Sequence, residues 1–157
     1  MRILAIDPGP SESGYVLMNG DKIQQFGKAL NIEVLAMFRL GLGINHCVCE
    51  RIRSYGMPAG AELFETCEWS GRYWQAAVEQ SVIWSWLTRR DVKLHLCGNV
   101  RAKDGNIRQA IIDRFGGKSA AIGTKKTPGP LLGVSGDVWA ALGVAITWQD
   151  LHRGDTP

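Results

Sequence analysis

The pair Asn19-Gly20 constrains this chain most. Both residues tolerate the positive φ that a two-residue hairpin turn demands, and apolar runs flank them on either side. Gly14 to Met18 (GYVLM) leads in and Lys22 to Lys28 leads out, so the turn predicts two antiparallel strands. Ahead of them Arg2 to Asp7 (RILAID) reads as a short buried strand, closed by the turn Asp7-Pro8-Gly9-Pro10. The three strands make an antiparallel meander. A helix is predicted over Ile32 to Leu40, a fourth strand over Ile44 to Ile52, and a long helical span over Ala61 to Arg90. Val92 to Cys97 alternates and is predicted as the fifth strand, and Asp104 to Phe115 as a helix stopped by Gly116-Gly117. A loop rich in Gly, Pro and Lys, Ser119 to Ser135, leads to a last apolar helix, Gly136 to Leu151. That order predicts an α/β fold with a mixed five-stranded sheet, three antiparallel strands and then parallel ones, and helices on both faces. Residues 1–157 are expected to form a single domain, since a chain of 157 residues falls in the ordinary size range for one.

Composition excludes several classes. Apolar residues make up 45% and charged residues 21%, which fits neither a disordered chain nor a membrane protein. No apolar run approaches the ~20 residues that span a bilayer. The first apolar stretch is interrupted by Asp7, too early for a secretory signal, so no membrane partner is expected. Cys47, Cys49, Cys67 and Cys97 form no C-x-x-C pair, and reduced thiols of this kind suit a cytoplasm. The net charge of +3 is unevenly spread: Lys93 to Lys126 carries eight Lys and Arg against Asp104 and Asp113, an excess of six, which leaves the remainder at minus three. Such a segment suits a polyanionic partner, and equally a solvated basic face.

The carboxylates narrow the chemistry. Asp7 ends an apolar strand, Glu50 ends another after Cys47-Val48-Cys49, and Asp137 opens the last helix after Ser135-Gly136. A buried carboxylate is costly without a cation or donors. Asp137 has a plain alternative role, because the helix dipole favours Asp at an N-terminus. Glu50 is harder to explain by propensity, since Glu is a poor strand former in an apolar run. Three carboxylates at the ends of two strands and a helix can converge, and converging acidic oxygens suit hard divalent cations.

These residues carry a resemblance. RILAIDPGPSESGY resembles the first motif of the RuvC family of Holliday-junction resolvases, with Asp7-Pro8-Gly9 and Gly14-Tyr15 in the family's places. Cys47-Val48-Cys49-Glu50 is similar to its second acidic motif, Gly98 to Lys103 to the stretch after its fifth strand, and Asp137 to Ile146 to its closing motif. Leu63 to Arg72 (LFETCEWSGR) looks more like phage-encoded members, whose proteins work in the bacterial host cytoplasm. The resemblance implies an RNase H-like fold, a homodimer, and paired symmetric nicking of four-way or other branched DNA with Mg²⁺ or Mn²⁺, leaving 5′-phosphate and 3′-hydroxyl ends. It implies two ions, bridged by Asp7, with Glu50 on one and Asp137 on the other. Lys103 would neutralise the scissile phosphate, completing a catalytic set of Asp7, Glu50, Asp137 and Lys103.

Arg51, Arg53, Arg101, Lys103, Arg108, Lys118, Lys125 and Lys126 are the expected DNA contacts, with Tyr55 or Arg53 at the junction centre. Two features depart from the family. The gap between Asp7 and Glu50 is short, and Ala140 stands where the closing motif usually has a second ligand. Ala140 therefore keeps a rival reading open, a branched-DNA binding module without catalysis, in which the carboxylates are relics. Asp-x-Gly before a hairpin also opens the sugar-kinase and actin-type ATPases, but those require a second such domain and a second phosphate loop, so no nucleotide cofactor is expected. The tryptophans, Trp74, Trp84, Trp139 and Trp148 among them, are expected in the core or at a face between copies.

Overall fold

A computed structural model describes residues 1–54, 56 and 58–153. Tyr55 lies outside the described residues. The chain opens with β1 (Arg2–Asp7), β2 (Glu12–Asn19) and β3 (Lys22–Leu30), continues through α1 (Asn31–Met37), β4 (His46–Glu50), α2 (Ala61–Glu79), β5 (Ile83–Leu87) and α3 (Arg89–Cys97), and closes with α4 (Asp104–Arg114), the single turn α5 (Lys118–Ala121) and α6 (Val138–Leu151). The sheet runs β3-β2-β1-β4-β5. β2 pairs antiparallel with both β1 and β3, whereas β4 lies parallel to β1 and β5 parallel to β4. The expected mixed sheet is present.

β1 is central and buried on both faces, which explains its unbroken apolar run. Side chains alternate along a strand. Ile3, Ala5, Val16, Met18 and Val48 therefore pack toward α3, α4 and α6, while Leu4, Ile6, Leu17, Cys47 and Cys49 pack toward α1 and α2. Cys47 and Cys49 are fully buried thiols, as expected. Trp139 and Trp148 are core residues.

Two assignments are corrected. The helix expected over Ala61 to Arg90 ends at Glu79, and the fifth strand is Ile83–Leu87, not Val92 to Cys97. Ser81 takes a left-handed conformation (φ 55°) and the Val82 amide bonds back to the Ala77 carbonyl at 2.8 Å, which closes α2. The run Ile83-Trp84-Ser85-Trp86-Leu87 then has the β-branched and aromatic content of a strand. Val92 to Cys97 belongs to α3 because local capping outweighs its alternation. The Thr88 hydroxyl accepts from the Asp91 amide at 3.2 Å, the Asp91 carboxylate accepts from the Thr88 amide at 2.8 Å, and Gly98 ends the helix with φ 65°.

Thr66, Ser70, Tyr73, Ala76 and Ala77 are buried, while Cys67 and Trp74 point outward.

At the sheet end where β1 begins, α6 terminates in a charge network. The Asp150 carboxylate accepts from both Arg114 guanidinium nitrogens at 2.6 Å, lies 2.9 Å from His95 Nε2, and pairs with Arg153, which reaches on to Asp21. Beside it His46, at the start of β4, stacks on Trp148, which stacks on His152. No helix among the described residues is long and apolar enough to cross a membrane.

Candidate active site

The other end of the sheet is built as a row. Lys28 on β3 sits opposite Gly14 on β2, Gly14 opposite Asp7 on β1, and Glu50 on β4 follows the Ile6–Cys49 pair and sits opposite Leu87 on β5. Strand alternation turns Lys28, Asp7 and Glu50 toward the face covered by α6. Asp137 reaches the same point from the loop before α6. Gly14 makes that approach possible: a Cβ there would lie 2.6 Å from the Asp137 carbonyl oxygen and 3.0 Å from its Cβ. The missing side chain on β2 is thus the space in which Asp137 sits.

The turn after Asp7 is held from behind. The Gly9 amide donates to Ser13 Oγ at 3.3 Å, Ser13 Oγ donates to Asn31 Oδ1 at 2.6 Å, and Asn31 Nδ2 donates to the Gly9 carbonyl at 2.9 Å. The Tyr73 hydroxyl, from α2, joins Ser13 at 3.1 Å and donates to the Asn31 carbonyl at 3.4 Å. Ser13, Asn31 and Tyr73 are all buried. A satisfied buried network of this kind rigidifies the loop it holds.

Together with Arg89, Asp104, Ile107, Arg108, Gly136, Trp139 and Ala140, the carboxylates Asp7, Glu50 and Asp137 line a cleft of about 550 Å³. Their charge states differ. Arg89 lies 3.4 Å from Glu50 and 2.7 Å from Asp104, and Lys28 Nζ lies 2.8 Å from Asp137. Among the described residues Asp7 takes part in no ion pair. Burial, then repulsion from Glu50 and Asp137, pushes its carboxyl up to about 8. Burial also raises Glu50, with Arg89 opposing the shift. Asp137 stands at the N-cap of α6, yet its carboxylate makes no capping bond, so the helix-dipole role does not account for its partner, Lys28.

Of the residues singled out in the sequence, the structure brings Asp7, Glu50, Asp137 and Arg108 into one cleft, with the Arg108 guanidinium 5.0 Å over the Trp139 ring. Lys103 is exposed at the N-cap of α4 and is not among the residues lining the cleft. Lys118, Lys125, Lys126, Arg101 and Arg53 are likewise exposed and outside its lining. Arg51 is exposed, with its guanidinium 5.7 Å from the centre of the Trp86 ring. Lys28, Arg89 and Asp104 were missed. Lys28 was legible as the only charge on β3 in register with Gly14 and Asp7; Arg89 depended on finding α3, and Asp104 looked like an ordinary first-turn acid.

Among the described residues no three carboxylates, histidines or cysteines already converge as a ready ligand set. The donor chemistry still fits a hard divalent cation. Carboxylate oxygens face one cleft, Arg89 and Lys28 stand against Glu50 and Asp137 as cations, and burial and neighbouring acids push the Asp7 carboxyl up.

No family model matches the chain, and no curated protein does. Solved structures do. Thermus thermophilus RuvC superposes with a TM-score of 0.69 at 19% identity, over 99% of this chain and 98% of that one. T. thermophilus RuvC in complex with a Holliday junction substrate superposes with a TM-score of 0.72, also at 19% identity, over 99% and 97%. The chain has the RNase H-like fold of RuvC along almost its whole length.

Proposed function

We propose that this protein is a divalent-metal-dependent endonuclease that resolves four-way DNA junctions by paired nicks, leaving 5′-phosphate and 3′-hydroxyl ends. The observation that carries the reading is Asp7: a carboxylate held rigidly on the central strand, between Glu50 and Asp137, with no ion-pair partner among the described residues. Folding does not need such a group, and a metal does. Asp7, Glu50 and Asp137 would hold Mg²⁺ or Mn²⁺, with Asp104 facing the same cleft where Ala140 offers no oxygen. Bound there, the ions supply Lewis-acid stabilisation of the phosphate and an activated water. The chain's own residues then orient the strand. Arg108, braced on Trp139 at the cleft, meets a phosphate oxygen. The exposed Arg51, Arg53, Arg101, Lys103, Lys118, Lys125 and Lys126 follow the neighbouring phosphates.

Two nicks call for two sites, and α2 supports a homodimer. Phe64, Cys67, Gly71, Trp74 and Val78 form an exposed seam on the side of the helix away from the core. Their spacing alternates three and four, the pattern of helix pairing. It is also self-complementary: antiparallel pairing about Gly71 sets Phe64 against Val78 of a second copy and Cys67 close to Trp74. A two-fold axis through this seam gives the isologous contact expected of a dimer. Gly71→Cys is expected to form an intermolecular disulfide on oxidation, while the native Cys67, well away from the axis, does not. A monomer at micromolar concentration in sedimentation overturns the dimer.

Ala140 favours the second reading, a branched-DNA binder without catalysis. One experiment separates the two: incubation of a labelled four-way junction with the protein, with Mg²⁺ or with chelator. Metal-dependent paired nicks support the enzyme. Binding without nicks in both conditions supports the binder.

A further inference from the structure

Arg89 is the first residue of α3, directly after the Thr88 cap, and Arg90 follows it. Positive charge in a helix's first turn works against the helix dipole, so its placement there requires a local opposing attraction. The attraction is visible: the guanidinium spans Glu50 and Asp104, with its side chain 25% exposed and that of Glu50 12% exposed. Arg89 also forms one wall of a neighbouring cleft of about 360 Å³, lined by Arg90, Lys93 and Val100.

We propose that Arg89 is the resident cation of the acidic cleft, a side chain that a divalent metal must displace from Glu50 and Asp104. The inference rests on the metal-dependent reading above. Its physical basis is competition. Glu50 cannot give the same oxygen to a guanidinium and to a metal at full strength, and a cation beside the ion repels it. Lys28 pairs with Asp137 and with Glu12, which is not among the residues lining the cleft, whereas Arg89 holds two acids of the cleft at once. The arrangement keeps the acids from repelling one another before metal arrives and sets the metal concentration at which the cleft fills.

The test is titration of the DNA-free protein with MnCl₂ by calorimetry, which reads binding without any cleavage. Arg89→Gln is expected to bind Mn²⁺ at least about fivefold more tightly than the wild type, since a unit charge beside a divalent ion is removed. Arg90→Gln, which removes the same charge from the exposed neighbour, is expected to change affinity by less than about twofold, because exposed charges are well screened. Arg89→Lys keeps a charge without the two-pronged reach, is expected between the two, and stands in should the glutamine variant fail to fold. Thermal unfolding gives a second reading: in chelator Arg89→Gln melts below the wild type, and saturating MnCl₂ raises its midpoint by more than it raises the wild type's. Equal Mn²⁺ affinity in wild type and both Arg89 variants overturns the inference while leaving the metal site standing. Failure of every protein to bind Mn²⁺, together with no junction cleavage, overturns both.

Discussion

The two ends of the sheet both gather carboxylates and arginines, and they treat them in opposite ways. At the end beneath the α6 terminus, Asp150 is saturated: Arg114 meets both oxygens, and His95 and Arg153 close the rest. Its carboxyl is held below the usual range even though burial opposes this, because those donors outweigh it. At the other end, Asp7 has neighbours of its own sign and its carboxyl sits near 8. The cleft beside Asp150 is the larger of the two, about 790 Å³ against about 550 Å³. Size therefore misidentifies the site. A saturated carboxylate fastens structure together, whereas a dissatisfied one held on a rigid strand is poised for something absent from the fold.

The largest expected effect comes from exchanging the fates of the two acids. Asp7→Asn should abolish junction cleavage, by about 10³-fold or more given the electrostatic work a metal site does, while junction binding persists. Asp150→Asn should leave cleavage within about twofold and cost about 2 kcal/mol of stability by breaking charge-assisted hydrogen bonds. Cleavage and denaturant unfolding on both variants check the pair; loss of cleavage in Asp150→Asn with Asp7→Asn active would reverse the assignment of the two ends.

The two ends should also respond oppositely to pH. Asp7 has a folded pKa above its unfolded value, so in chelator its contribution to stability is complete below pH ~4 and lost as pH rises toward 8. Asp150 has a folded pKa below its unfolded value, so its contribution is present above pH ~4 and lost as pH falls through the folded pKa. Unfolding midpoints of Asp7→Asn, relative to wild type, should therefore improve steadily between pH 4 and 8. A flat difference over that range would mean that Asp7 is not dissatisfied.

Gly14→Ala gives a smaller, sharper result. The new methyl group would meet the Asp137 backbone at 2.6 Å, so the start of α6 must shift away from Asp7. Overpacking of that kind costs about 1–3 kcal/mol, and the displaced carboxylate should lower cleavage by about 10²-fold, in line with an ångström-scale misplacement. Fold retained with cleavage unchanged would show that Asp137 need not approach β2.

The smallest effect lies at the structural end. His46 donates to or accepts from Ser85 Oγ at 2.9 Å, stacks on Trp148 and faces His152, and burial lowers its pKa to about 4. The unfolded chain thus binds more protons between pH 6.5 and 4, and stability falls as pH drops through that window. His46→Gln should flatten this limb of the stability profile without touching cleavage at neutral pH.

The sequence disclosed the acids better than their setting. Asp7 and Glu50 were legible because each ends an apolar run, where propensity alone does not place a carboxylate. The β1 to β4 strands were legible for the same reason, and from the Asn19-Gly20 pair, although the two turn residues are Gly20 and Asp21, with Asn19 closing β2 opposite Lys22. β5 and α3 were not: Ile83 to Leu87 follows α2 after a break that only the left-handed Ser81 reveals, and an alternating run at Val92 was overruled by the Thr88–Asp91 cap. Arg89 was hidden with them. A cation's role depends on which acid lies across space from it, and neither the spacing from Glu50 nor that from Asp104 encodes the contact. The basic excess of Lys93 to Lys126 was legible as charge but not as position, since most of its members are exposed away from the cleft lining.

The hydroxyl of Tyr73 has a consequence for how this protein can vary. It belongs to α2, yet it completes the bonding of Ser13 and Asn31, which in turn hold the turn behind Asp7. Removing any one of the three takes a hydrogen-bond partner from the buried groups that remain, at a cost of about 1–3 kcal/mol for each group left unsatisfied. Single copying errors at these positions are therefore costly, and exchange of all three for apolar residues would still take their partners from the Gly9 amide and carbonyl. Three positions far apart in the chain behave as one heritable unit, and drift in the turn beside Asp7 is tied to drift in the middle of a distant helix.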